Sequence, residues 1–105
     1  MNEVSVKIHK DQRCSLVAIC DKNLIGKTFQ EGKLKLEVKK DFYGDMLCSV
    51  EEAVNLLNNA ELANLVGEKI VKATIENKLI DPRAVMYIDG IPHVQIMKLD
   101  HLLSS

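Results

Sequence analysis

Three histidines, three cysteines and a run of lysines are the residues of this chain whose types and spacing could do chemistry. His93 sits in Tyr87-Ile88-Asp89-Gly90-Ile91-Pro92-His93, just past an Asp-Gly turn, and an imidazole so presented could move a proton near neutral pH. Acid-base catalysis would need a partner that orients the ring, and sequence separation does not supply that distance. His9, His93 and His101 are not spaced as metal ligands, and no cysteine or acidic residue completes a ligand pattern with them. Neither a metal nor a cofactor is therefore expected. Cys14, Cys20 and Cys48 form an odd set without a CxxC pair and read as reduced packing thiols. Cys20 with His93 would make a nucleophile and its base, but Cys20 closes an apolar run and reads as inert, so no residue is assigned as catalytic.

Lys33, Lys35 and Lys39 follow the period of one strand face, Lys40 comes next, and Lys22 and Lys27 precede them. Such a group could neutralise the phosphates of RNA or DNA, with Phe42 and Tyr43 stacking on bases, although Glu37 dilutes the charge. Gly26-Lys27-Thr28 imitates the end of a phosphate-binding P-loop. The glycine that motif requires five positions earlier is Asp21, whose carboxylate would repel phosphate, and no helix start follows Thr28.

The elements that must position these groups follow from periodicity and turn chemistry. Val4, Val6 and Ile8 alternate with Ser5, Lys7 and His9, which predicts a strand with one wet face. The nearly all-apolar stretch from Ser15 to Cys20 predicts a strand covered on both faces, forming a hairpin with the first. From Asp21 to Gly32 no period persists, and an ordered loop is expected. Leu34, Leu36 and Val38 then mark a third strand, ended by turn residues from Asp41 to Asp45. Ser49 with Glu52 is a capping box for a helix over about 50–57. Asn58 with Glu61 repeats that signal, and Leu62, Val66, Ile70 and Ala73 predict the buried stripe of a second helix, with Gly67 inside it and Asp81-Pro82 as its stop. The two helices would form a corner or short hairpin.

Strands over about 84–88 and 91–98 flank Asp89-Gly90, a pair suited to a type I′ turn. That register pairs Ile88 with Ile91, Tyr87 with Pro92, Met86 with His93, Val85 with Val94 and Ala84 with Gln95. His93 and Gln95 then share a face, and Pro92, which lacks an amide hydrogen, would lie at a sheet edge. The whole predicts an α+β fold, a small and mainly antiparallel sheet with helices packed on one face. At 105 residues, 47% hydrophobic and 28% charged, the chain suits one soluble domain spanning 1–105. Apolar runs such as Leu16 to Cys20 fall far short of the roughly 20 residues of a bilayer span, and no signal peptide is evident, so a cytoplasmic location is expected. Residues 1–45 carry nine Lys/Arg against seven Asp/Glu, and residues 46–105 five against eight, which permits a local basic patch.

Taken together, Cys20-Asp21 with Leu24-Ile25-Gly26-Lys27, Phe42-Tyr43-Gly44, Ala63-Asn64-Leu65-Val66-Gly67-Glu68 and Gly90-Ile91-Pro92-His93-Val94-Gln95 resemble, in order and spacing, the archaeal domain of unknown function family 424. The resemblance runs from about Val4 to Lys98. It implies an archaeal, cytoplasmic, small α+β protein and carries over no catalytic residue. Asp21, Gly26, Lys27, Gly44, Asn64, Gly67, Glu68, His93 and Gln95 stand in its motifs and are expected on one common surface.

The function expected is a noncatalytic binding module in RNA or translation-related metabolism. It would act through Lys33, Lys35, Lys39 and Lys40 or through the surface around His93, with RNA or a translation-related protein as partner and no membrane. A homodimer could form through the edge of the closing hairpin. One alternative is a small enzyme or enzyme subunit in which His93 shuttles a proton near Asn64, Glu68 and Gln95. Another is a protein adaptor, which would expose a contiguous apolar patch.

Overall fold

The computed structural model describes residues 2–12, 14–44 and 46–98, so Asp45 and His101 lie outside the described residues. Its main sheet has six strands in the order β5-β1-β2-β6-β8-β7. The first two, β1 (Val4–Lys10) and β2 (Ser15–Asp21), form the antiparallel hairpin that their alternation predicts, with Val6 opposite Ile19. Residues Val17 to Asp21 are all buried, as a strand covered on both faces requires.

The stretch expected to be loop contains a strand. After a 3-10 turn at Lys22–Leu24, β3 (Thr28–Glu31) pairs with β4 (Leu34–Glu37) across Gly32-Lys33, with Gly32 at φ +60. The expected third strand therefore belongs to a separate two-stranded sheet and not to the main one. A turn led by Gly suits such a hairpin, but four-residue strands are too short for alternation to reveal them. Where turn residues were expected, α1 (Lys40–Tyr43) is a one-turn helix, and β5 (Met46–Cys48) adds to β1 at the sheet edge.

Helix α2 (Val50–Leu57) starts as its capping box predicts: the Glu52 amide donates to Ser49 Oγ at 3.1 Å, and the Ser49 amide donates to Glu52 Oε1 at 3.1 Å. The second helix begins later than expected. Leu62–Val66 is not helical but forms β6, parallel to β2 on one side and antiparallel to β8 on the other. A buried strand and a buried helical stripe look alike over five apolar-rich residues, and here the two flanking strands decide. Helix α3 (Glu68–Glu76) then starts at Gly67, which is its N-cap and not an interior residue. It ends where Lys78 adopts φ +59, ahead of Asp81-Pro82. The closing hairpin, β7 (Met86–Ile88) and β8 (Ile91–Met97), has the predicted register through Met86 and His93, and Asp89 and Gly90 adopt φ +52 and +79. The Val85 and Ala84 pairings do not form, because Pro82–Ala84 is a 3-10 turn capped by Asp81, whose Oδ1 accepts from the Arg83 amide at 2.8 Å.

Both faces of the sheet are covered. On one, Val4, Val6, Ile19, Leu65 and Val94 pack against Ala53, Leu57, Ile70 and Val71 of α2 and α3. On the other, Ala18, Cys20, Val66 and Ile88 pack against Leu24, Leu36, Val38 and Tyr43 from the β3–β4 hairpin and α1. Each fully buried aliphatic side chain contributes about 2 kcal/mol of burial free energy, so the hairpin is part of the fold and not an appendage.

Two ends of the sheet meet at one point. Asp21, closing β2, accepts hydrogen bonds from the Lys69 and Ile70 amides at 2.9 and 3.1 Å and so caps α3 from a distant strand. Gly67 lets the carboxylate approach, for a Cβ there would stand 2.3 Å from the Asp21 carboxyl carbon. The Gly67 amide donates to the Pro92 carbonyl at 2.9 Å, while the Gly67 carbonyl accepts from the Val71 amide at 3.1 Å. Pro92 thus sits in an interior strand, contrary to the expected edge, because the carbonyl that its missing N–H would have met already serves α3.

Gly67→Ala meets both a φ of +121 and the Asp21 carboxylate and is expected to cost about 3 kcal/mol in urea or thermal unfolding. Gly32→Ala, at φ +60 with open space around it, should cost only about 1 kcal/mol. Equal costs would show that the approach of Asp21 does not constrain position 67.

Candidate functional site

The face of β1 that alternation assigns to solvent instead builds a support. Ser5 Oγ donates to the Tyr43 carbonyl at 3.1 Å, Lys7 Nζ to the Asp41 carbonyl at 2.9 Å, and His9 Nε2 lies 2.9 Å from the Phe42 carbonyl. The carbonyls of a one-turn helix need outside donors, and three successive outward residues of one strand supply them. Phe42 also stacks on His9, with ring centroids 4.8 Å apart. Tyr43 is only 4% exposed and Phe42 is half-buried, so these aromatics are structural and are not open to the bases expected to stack on them.

Held this way, Tyr43 donates its hydroxyl to Asn64 Oδ1 at 2.5 Å. His93 Nε2 lies 3.1 Å from the same oxygen. An amide oxygen only accepts, so the ring proton of neutral His93 sits on Nε2 and the lone pair on Nδ1. His93 is half-buried, and among the described residues Nδ1 makes no hydrogen bond. The register explains the meeting: Asn64 lies opposite Gln95, and the neighbouring Val66 lies opposite His93.

Proton affinities in this cluster are set by burial. Burial, with a smaller contribution from the Asp21 charge, pushes the Cys20 thiol up to about 12. Burial, then Cys20, pushes the Tyr43 hydroxyl up to about 12. Both keep their protons at neutral pH, and Cys20 is no nucleophile. Burial pushes His93 down. Asp21 is pushed up by burial, against the pull of the two α3 amides.

A cleft of about 410 Å³ opens beside His93, between β4 and the closing hairpin. Leu34 and Leu36 form one wall and Met86 and Ile88 another, with His93, Gln95 and Lys35 as polar groups. Leu34 and Met86 are 48% and 51% exposed, so the mouth is apolar. Glu31 of β3 holds the two hairpins together by accepting from the Asp89 amide at 2.7 Å. A larger groove of about 670 Å³ lies between α2 and α3, but there the charges are mixed and Lys69 pairs with Glu3 at 3.7 Å.

The nine motif residues do not gather at one spot. His93 and Gln95 line the cleft, and Asn64 meets His93 behind it and lies opposite Gln95 in the sheet. Asp21 and Gly67 form the cap of α3 and Glu68 its first turn, and Glu68 makes no hydrogen bond with His93. Gly26 and Lys27 tie down the hairpin base, the Gly26 amide donating to the Val38 carbonyl at 2.7 Å and the Val38 amide to the Lys27 carbonyl at 2.9 Å. Gly44 packs beneath Lys40, where a Cβ would stand 2.9 Å from the lysine side chain. The lysines at 22, 27, 33, 35, 39 and 40 are all exposed. Lys35 and Lys39 reach Glu37 at 3.6 and 3.8 Å, and Lys39 lies beyond the strand it was expected to share with the others. Among the described residues, no group of three or more His, Cys, Asp or Glu is placed to hold a metal ion, and no helix is long and apolar enough to cross a membrane. Sequence reading missed Tyr43 as the partner of Asn64, since nothing local links positions 21 residues apart.

A family model described as a protein of unknown function (DUF424) matches residues 8–99, a span holding Tyr43, Asn64, His93 and Gln95. A crystal structure titled as an uncharacterized conserved protein from Methanopyrus kandleri is similar in fold, with a TM-score of 0.70 at 22% identity over 89% of each chain. No curated protein matches significantly.

Burial of neutral His93 has a consequence for stability. The unfolded ring protonates near its ordinary value of ~6.5, and the folded one only at lower pH. Its contribution is therefore complete above ~6.5 and is lost as pH falls through the depressed folded value. Urea midpoints between about pH 7.5 and about pH 5 should drop more for the native chain than for His93→Gln. Parallel curves would mean that His93 titrates alike in both states.

Proposed function

The chain belongs to the DUF424 family, and we propose that it is a noncatalytic RNA-binding module that acts in RNA or translation-related metabolism through the β3–β4 lobe. Charge distribution is what supports this reading. Residues 22–40 hold six lysines against two glutamates, a formal +4 inside a chain whose net charge is −1. All six are exposed. The Lys35 and Lys39 pairs with Glu37 are solvent-exposed, and such pairs contribute at most about 1 kcal/mol, so an approaching phosphate displaces them at small cost.

The chemistry around His93 supports a role without catalysis. Its hydrogen-bond partner is an amide, not a carboxylate that would stabilise an imidazolium, and the neighbouring thiol and phenol stay protonated. Affinity for RNA would come chiefly from release of counterions and would fall steeply with salt.

A gel shift with a labelled single-stranded RNA at roughly 50 mM salt is expected to show binding that weakens with a slope of about −0.7 per phosphate neutralised. Lys33→Glu together with Lys39→Glu, both on the surface, should reduce affinity about tenfold or more and flatten that slope. No shift by the native chain at low salt would rule RNA out as the ligand.

A further inference from the structure

We propose that the cleft between β4 and the closing hairpin takes up one unpaired nucleobase of the RNA whose backbone lies on the lysine lobe. The inference rests on the RNA reading and names what the cleft contributes to it. At about 410 Å³ the cleft lies within the roughly 300–1,000 Å³ of small-molecule sites. Apolar side chains line it from two hairpins: Leu34 and Leu36 from one, Met86 and Ile88 from the other. A planar ring has two apolar faces for such walls, and a methionine thioether packs favourably on an aromatic ring.

The polar groups suit the edge of a base. Tyr43 and His93 both use Asn64 Oδ1, which leaves Nδ1 of the half-buried imidazole lining the cleft as the ring's acceptor. Gln95, exposed beside it, brings an amide that both donates and accepts. An acceptor next to a donor-acceptor pair matches the hydrogen-bonding edge of a nucleobase, which carries both kinds of group. Lys35 stands at the rim, held to Glu37 only loosely at 3.6 Å, where it can meet the phosphate of the same nucleotide.

Three features favour a base attached to a backbone over a free apolar ligand. The cleft opens beside a lobe of formal charge +4. Its mouth exposes Leu34 and Met86, two large apolar side chains that are left without cover until something flat enters. The Glu31 link to the Asp89 amide fixes the two hairpins relative to one another before any ligand arrives, so little ordering is needed on binding. The base must be unpaired, because the edges and faces used here are stacked and paired within a duplex.

The test compares binding, by fluorescence anisotropy at low salt, to a single-stranded RNA, to the same sequence as a duplex, and to an abasic ribose-phosphate strand of equal length. The native chain is expected to bind the single strand about tenfold more tightly than the abasic strand. Ala84→Phe, which fills the cleft from an exposed position, and Gln95→Ala should each bring the single strand toward the abasic value. Both should leave duplex and abasic binding unchanged, whereas the lysine reversals weaken all three. Equal native affinity for single-stranded and abasic RNA, or no effect of either cleft variant, overturns the base site and leaves the RNA reading standing. No binding to any of the three overturns the RNA reading and the base site with it.

Discussion

The carboxylate of Asp21, set against the start of α3, is the interaction on which the arrangement of this molecule depends. Two helix amides would otherwise point at the end of a buried strand without partners, and each buried, unsatisfied amide costs about 1–3 kcal/mol. Placing an acid from β2 there satisfies both amides and sets where β2 and β6 must end relative to one another. The geometry is possible only because position 67 carries no side chain. The same glycine bonds to Pro92, so the joint reaches a third strand, and the register that brings His93 beside Val66 follows from it. The arrangement also uses up the anion-binding capacity of the helix end. In the segment that imitates the end of a phosphate loop, Asp21 to Thr28, the acid turns its carboxylate away to the α3 amides.

Around that joint the sheet has two unlike faces. One packs against α2 and α3 through apolar side chains. The other is covered by a small hairpin and a single helical turn, which leave polar residues between them. Ser5, Lys7 and His9 hold α1, α1 presents Tyr43, Tyr43 and His93 share the oxygen of Asn64, and the imidazole is left with one oriented nitrogen. Each step is a hydrogen bond between elements far apart in sequence. This relay orients a histidine whose proton affinity burial pushes down. The lysine-rich β3–β4 hairpin covers the same side of the sheet.

Local chemistry was legible in the residues themselves. Ser49 and Glu52 announce a helix start because both partners of the capping box lie within one turn. Asp89-Gly90 announces its hairpin because the positive φ angles are tolerated by those residues. Leu62 to Val66 misled for an equally physical reason: spacing of four between Leu62, Val66 and Ile70 suits one helical face, and only the hydrogen bonds of β2 and β8 convert that run into a strand. Thr28–Glu31 and Met46–Cys48 are too short to show a period, and they exist as strands because β4 and β1 offer them partners. At the site, sharing of a face by His93 and Gln95 followed from the hairpin register, while their meeting with Asn64 required β6 to be a strand.

By itself, the sequence determined those things whose energetics are settled within a few residues: the α2 cap, the closing turn, the hairpin of β1 and β2, and the excess of lysine between positions 22 and 40. Tertiary structure alone decided the place of β6 in the sheet, the seating of Pro92 in an interior strand, the approach of Asp21 to Gly67 and the joining of Tyr43, Asn64 and His93. Those depend on backbone amides and buried polar atoms finding partners tens of residues away. A chain reveals which groups need partners, but only the packed fold shows which ones they find.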